Sequence, residues 1–199
     1  TYFNNNFPKI NLKKTFIFHH REVGYNKTSK QRGSKIKNYV PSIKFLLSKG
    51  YNVVRLKHSN SNKIKIKNKN YYEINTDFYK NKLLQYFLIL KSRGLLCNSS
   101  GPGSIGSLLS KPVYHTNSVG VNVHATNKYS MYLIKKIKYK KKTIPYSLAI
   151  SNGYFSGFFL SLRYCKRNGY DVVENSSQEI LAGLKEFISI KKNYKISKY

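Results

Sequence analysis

Hydrophobic positions along this chain change period several times. The first clear run, Thr15-Phe16-Ile17-Phe18-His19, is β-branched and aromatic without a polar break, the pattern of a central strand. Within residues 38–50 the period lengthens. Ile43, Leu46 and Leu47 fall at i, i+3 and i+4, the apolar face of a helix with Pro41 in its first turn and Gly50 closing it. Tyr51-Asn52-Val53-Val54-Arg55-Leu56 returns to a strand, so residues 15–56 predict a βαβ unit with a right-handed crossover.

Residues 57–70 are a Lys/Asn/Ser stretch with Ile64 and Ile66 alternating, read as a loop or a short edge strand. Tyr71-Tyr72-Glu73-Ile74 is a weak strand, residues 83–90 are a helix capped by Asp77 or Asn81, and residues 93–97 are a strand. A polar turn, Asn98-Ser99-Ser100-Gly101-Pro102-Gly103, precedes a helix-like segment at 105–109, and residues 111–117 predict the next strand. Farther on, residues 130–137 read as one strand, Pro145 opens a short helix, and Tyr170-Asp171-Val172-Val173 is the last strand. Residues 175–179 supply an N-cap with an acid or amide three residues on, before Ile180, Leu181, Leu184, Phe187 and Ile188 at helical spacing. The segment 151–162 is rich in Gly and aromatics and is read as core filler, with a membrane-facing patch as the alternative.

Strands alternating with helices predict an α/β fold: a Rossmann-like, doubly wound, mostly parallel sheet with helices on both faces. One domain is expected over residues 15–190, with a polar lead-in at 1–14 and a basic tail at 191–199. A chain that opens on Thr1 is expected to be a piece of something longer, with a further N-terminal domain.

Charge changes the picture less than its size suggests. Lys and Arg number 37 against 7 Asp and Glu, a formal net charge of +30. Yet lysines are scattered through nearly every segment and travel with Asn, Ile, Tyr and Phe, while Ala occurs only at 125, 149 and 182. Those enriched residues share A/T-rich codons, so genomic base composition supplies part of the excess. The charge still predicts attraction to phosphates, acidic glycans and anionic lipid. It also keeps open a different class, a basic RNA-binding protein such as an organellar ribosomal component, although no RNP, KH or helix-turn-helix signature is present. Cys97 and Cys165 make no disulfide framework and have no metal-ligand spacing, which suits a reducing compartment. No apolar run approaches a membrane span, and residues 1–14 lack the apolar core of a signal peptide. The expected location is cytoplasmic, with peripheral contact at the anionic inner face of a membrane.

Candidate chemistry collects where strands end. His19 and Arg21 share one side of an extended segment with His20 on the other, and can meet an anion. The Ser/Gly turn at 98–103 leaves the N–H groups of a helix start facing outward, which suits a phosphate. His115-Thr116-Asn117 closes the following strand. Together these clusters describe a site for a phosphate-bearing small molecule, with Arg21 as the fork on a diphosphate and the Ser100/Gly101 backbone as its cradle. There is no P-loop, no GxGxxG after the first strand, no HExxH and no CxxC, and acids are too few for a paired-carboxylate or divalent-metal site.

These blocks carry a resemblance. FHHREVGY, NYVPSIKFLLSKGYNVVRL, LLCNSSGPGSIGSLLSKPVYHTN and YDVVENSSQEILAGLKEF, in that order and spacing, resemble a family of bacterial glycosyltransferases from surface-polysaccharide gene clusters. More distantly they resemble the nucleotide-binding half of fucosyltransferase-like GT-B enzymes, with a His-x-Arg motif after a strand and a Ser-rich turn before a helix. The resemblance runs from Phe16 to Phe187. It implies one half of a GT-B architecture that binds a nucleoside-diphosphate sugar and passes the sugar to a glycan or surface-polysaccharide acceptor, with no metal or other cofactor. It assigns catalysis to His19 and Arg21, with Arg21 stabilising the departing diphosphate, and donor binding to Ser99, Ser100, Gly101 and Asn117; Asn98 and His115, at the same strand ends, complete the expected donor-binding set. The general base is either Glu22, the one acid near the motif, or a residue of another part of the enzyme. Two features depart from the family: Lys82 and Gln85 stand where acids are usual, and residues 31–37 are more basic.

Overall fold

Six parallel strands, in the order β3-β2-β1-β4-β5-β6, form the main sheet of the computed structural model, which describes residues 10–22, 31–77, 79–119, 127–151 and 162–193. The chain enters through a 3-10 turn at Leu12–Lys14, then runs β1 (Thr15–His19), a second 3-10 turn (Ile36–Tyr39), α1 (Val40–Ser48), β2 (Asn52–Lys57) and β3 (Tyr71–Asn75). It continues through α2 (Tyr79–Lys91), β4 (Gly94–Asn98), α3 (Gly101–Leu108), β5 (Val113–Ser118) and β6 (Ser130–Ile134). A smaller antiparallel sheet follows, β8-β7-β9, made of β7 (Lys136–Tyr139), β8 (Lys142–Thr143) and β9 (Tyr170–Val173). Helices α4 (Tyr146–Ser151) and α5 (Leu162–Arg167) precede β9, and α6 (Ser177–Asn193) ends the described chain. The expected lead-in, the aromatic segment and the basic tail fall largely outside the described residues.

The unbroken apolar runs have a physical cause: every residue of β1, β4 and β5 is buried, because helices cover both faces of the sheet. Phe16, Phe18, Leu96 and Tyr114 point to one face, against Ile43 and Leu46 of α1 and Ile180, Leu184 and Phe187 of α6. Ile17, Val54, Leu95, Cys97 and Val113 point to the other, against Leu84, Leu88 and Ile89 of α2. Gly50 ends α1 with φ of 77°, the left-handed conformation that a glycine supplies without strain. Glycine at 183 serves packing instead, since a Cβ there would run into the Tyr114 hydroxyl. The outer side of α2 leaves Leu83, Tyr86, Phe87 and Leu90 exposed. Among the described residues no helix is long and apolar enough to cross a membrane.

The later elements differ from the sequence reading. Residues 130–137 are two strands in different sheets, divided at Lys135. That lysine is buried, its backbone N–H donates to Ser118 O at 2.9 Å and its ammonium to Gly33 O at 2.6 Å. Burial lowers its pKa to about 8. The chain is anchored there and turns out of the main sheet, so β9 pairs antiparallel with β7.

Candidate functional site

Strand order reverses between β1 and β4, whose successors run to opposite edges, and the carboxyl ends of these neighbours therefore open a crevice. A cavity of about 400 Å³ lies there. His19, His20 and Arg21 line it from the end of β1, and Ser100, Gly101 and Pro102 from the turn after β4. Beyond β1 it is bounded by His58 after β2, Thr76 after β3, and Gln85 and Tyr86 of α2.

The turn after β4 is built to present backbone. Ser100, the N-cap of α3, is extended (φ −149°, ψ 157°), and its side chain makes no capping bond. Its Oγ is buried without a hydrogen-bond partner while lining the cavity. A Cβ on Gly101 would meet nothing within 4 Å, so the first turn of α3 looks into open space. A Cβ on Gly103, by contrast, would sit 2.6 Å from Cys97 Sγ and 3.0 Å from the His115 ring. Glycine at 103 thus lets α3 lie directly on β4 and β5, bringing its N-terminus to the crevice. The positive end of the helix and its N–H groups favour an anion there.

Asn98 fixes the position of Arg21. Its Oδ1 accepts from Arg21 N–H at 2.7 Å, and its Nδ2 donates to Arg21 O at 2.8 Å and to Ser34 Oγ at 3.1 Å. The fully buried amide therefore binds the backbone that leaves β1 to the end of β4. Arg32 adds a bond from Nη2 to Ser99 O at 3.3 Å.

The two histidines are neutral near pH 7. Burial is the main cause in both: it lowers His19 to about 3, with the charges of neighbouring His20, His58, Arg55 and Arg21 adding to it, and His20 to about 4. His20 Nε2 lies 2.8 Å from Ser34 O, so that nitrogen carries the proton and donates. Because these folded values lie below the ordinary 6.5, the stability they contribute is complete above pH 6.5. It is lost as pH falls toward 4 and 3, at about 1.4 kcal/mol per pH unit for each ring. Urea unfolding at pH 7 and pH 5 checks this. His20→Gln, whose amide can still donate to Ser34, is expected to flatten the pH dependence, and an unchanged dependence would contradict the assignment.

Of the sequence-predicted site residues, His19, Arg21, Ser100 and Gly101 are brought together on the cavity wall. Asn98 and Ser99 lie behind it, buried. Glu22 does not line the cavity: its carboxylate accepts from Asn62 N–H at 2.6 Å and from the Asn62 amide, and faces the buried Arg55 guanidinium at 3.8 Å. A carboxylate held in that way is a clamp on the 58–62 turn. His115 and Asn117 are likewise turned inward. His115 is buried, with Nε2 3.0 Å from Ser107 Oγ and its ring stacked on Tyr132 at 4.6 Å. Asn117, at φ 52°, exchanges hydrogen bonds with Asn175 at 2.7 and 2.8 Å and donates to Tyr39 Oη at 2.9 Å. Both stitch β5 to its neighbours. Of the cavity residues that sequence reasoning missed, His58 and Thr76 have one legible signal: each immediately follows a strand, at the end where this fold binds ligands.

No family model matches the sequence, and no curated protein matches it. Solved structures do. The structure of E. coli ADP-heptose LPS heptosyltransferase II matches with a TM-score of 0.58 at 12% identity, over 96% of this chain and 51% of that one. A glycosyl transferase family 9 structure from Veillonella parvula DSM 2008 matches with a TM-score of 0.55 at 9% identity, over 95% of this chain and 50% of that one. This chain spans about half the length of both. At such identity the likeness establishes the fold: a Rossmann-like α/β sheet with helices on both faces.

Proposed function

We propose that this chain is the nucleotide-sugar-binding half of a GT-B-type glycosyltransferase. It transfers a sugar from a nucleoside-diphosphate donor to a glycan or surface-polysaccharide acceptor. The observation that carries the reading is the cavity at the strand switch point, where Arg21 and the open first turn of α3 meet. A guanidinium on a clamped backbone and an N-terminal helix dipole are both suited to a diphosphate, and both stabilise the charge that develops as it leaves. They do the work that a divalent cation would otherwise do, so the proposed transfer is metal-independent. Neutral His19 and the Ser100 hydroxyl add uncharged hydrogen-bonding groups at the same wall. The names of the matched structures, a heptosyltransferase and a glycosyl transferase, agree with this chemistry, and the matched half-length agrees with a second domain across the cleft.

A thermal-shift panel of nucleotide sugars tests the reading. A donor present at a hundred times its dissociation constant adds about 2.7 kcal/mol of stability, a rise of roughly 5–10 °C for a domain of this size. An ADP-linked sugar heads the panel, followed by UDP, GDP and CMP sugars. A flat response across all of them would sink the proposal.

A further inference from the structure

The cavity has a second polar end. β2 and β3 pair in parallel, and their carboxyl ends place His58 and Asp77 side by side, with His58 Nδ1 2.6 Å from Asp77 Oδ1. This dyad is held by its surroundings. Asp77 Oδ2 accepts from Ser59 N–H at 2.7 Å, and Asp77 N–H donates to Asn75 Oδ1 at 2.9 Å. The turn itself is closed by His58 N–H to Ser61 Oγ at 3.1 Å, Ser61 N–H to His58 O at 3.0 Å and the Asn75 amide to Ser59 Oγ at 2.7 Å. Thr76 N–H donates to Lys57 O at 2.8 Å and ties the two strand ends together. Hydrogen bonds from Ser59, then the imidazole, hold the Asp77 carboxyl down to about 2, so it is an anion at neutral pH. An anion against Nδ1 places the ring proton on Nδ1 and makes Nε2 the basic nitrogen. His58 itself lines the cavity.

Resting on the nucleotide-sugar reading, we propose that His58, oriented by Asp77, is the general base of the transfer. β2 and β4 are separated by β1 alone, so the strand ends that lead into His58 and into the anion cradle at α3 are two strand spacings apart, about 10 Å. That span accommodates a diphosphate, the sugar's anomeric carbon and an incoming hydroxyl in line. The acceptor O–H proton passes to His58 Nε2 while the hydroxyl oxygen forms a bond to the anomeric carbon. The anomeric C–O bond to the diphosphate breaks, and its electron pair leaves on the diphosphate beside Arg21. Asp77 offsets the positive charge that His58 gains. A single displacement of this kind inverts the anomeric configuration. Among the described residues the cavity lining includes no carboxylate, and Glu22 is engaged with Asn62 and Arg55, so the dyad takes the role the sequence offered to Glu22.

The test uses the full chain with the nucleotide sugar that wins the thermal-shift panel. Thermal shift gives binding, and release of nucleoside diphosphate gives turnover. His58→Ala and His58→Asn, whose amide can still donate to Asp77, are expected to bind the donor within about twofold of the parent and to release diphosphate roughly 10²–10⁴-fold more slowly. For Asp77→Asn, the ¹⁵N histidine spectrum is a readout that a merely structural role would not move. The parent should show His58 protonated at Nδ1, and the variant should lose that preference along with turnover. Parental turnover in either His58 variant, a binding loss that matches the turnover loss, or a parent ring protonated at Nε2 would each overturn the role. A parent that binds the donor but releases no diphosphate would place the base outside this chain, again overturning it. A parent that binds no nucleotide sugar removes the underlying reading as well, so the two failures are distinguishable.

Discussion

Replacing Arg21 with alanine is expected to lower kcat/KM for the nucleotide sugar by roughly 10²–10³-fold, about 3–4 kcal/mol of transition-state stabilisation, while leaving the fold in place. The side chain borders the cavity, and the backbone carries the structural bonds to Asn98. Truncating the side chain therefore removes the charge-assisted fork and keeps the clamp. Most of the loss should appear in kcat, because negative charge on the diphosphate grows as the glycosidic bond breaks. Arg21→Lys is expected to recover only part of the activity, since an ammonium is a point charge that cannot grip two oxygens in one plane. Steady-state kinetics beside a melting curve decide the matter. Parental kcat/KM in Arg21→Ala would remove this residue from the mechanism, and a melting temperature many degrees lower would make the loss structural.

That separation of side chain from backbone also explains which parts of the molecule were legible in the sequence. β1, β2, β4 and β5 are buried on both faces, so their apolar runs are continuous and each strand could be read locally. Residues 130–137 could not be divided, because the break depends on Lys135 reaching Gly33, a partner 102 positions away. The site shows the same limit. His19, Arg21, Ser100 and Gly101 were legible because their places follow from strand ends and a helix start. His115 and Asn117 were expected at the site, but polarity at a strand end does not tell which way a side chain turns, and Ser107, Tyr39 and Asn175 hold both of them inward. The His58–Asp77 dyad was invisible for a related reason. Its members are 19 residues apart and meet only through the parallel pairing of β2 with β3.

The largest expected loss of stability comes from a residue behind the cavity wall. Asn98→Ala would leave Arg21 N–H and Arg21 O without the amide that now bonds both at 2.7 and 2.8 Å. The position is fully buried, so water cannot replace the amide without opening the turn. Two orphaned backbone groups cost about 1–3 kcal/mol each. A total of roughly 3–4 kcal/mol lowers the melting temperature by on the order of 10 °C in a domain of this size. Ser34 Oγ still has Tyr39 Oη at 3.2 Å and adds little to the loss. Asn98→Asp separates the two bonds. Its carboxylate can accept from Arg21 N–H, but it has no proton for Arg21 O and carries a charge into a dry site, so it should stabilise no better than alanine. Activity should fall in both variants because Arg21 is no longer held at the cavity wall. The decisive comparison is with Arg21→Ala: the arginine variant is stable and inactive, whereas the asparagine variants lose stability and activity together. An Asn98→Ala protein that melts with the parent would show that the β1–β4 clamp contributes nothing to the fold, and the placement of Arg21 would then need another cause.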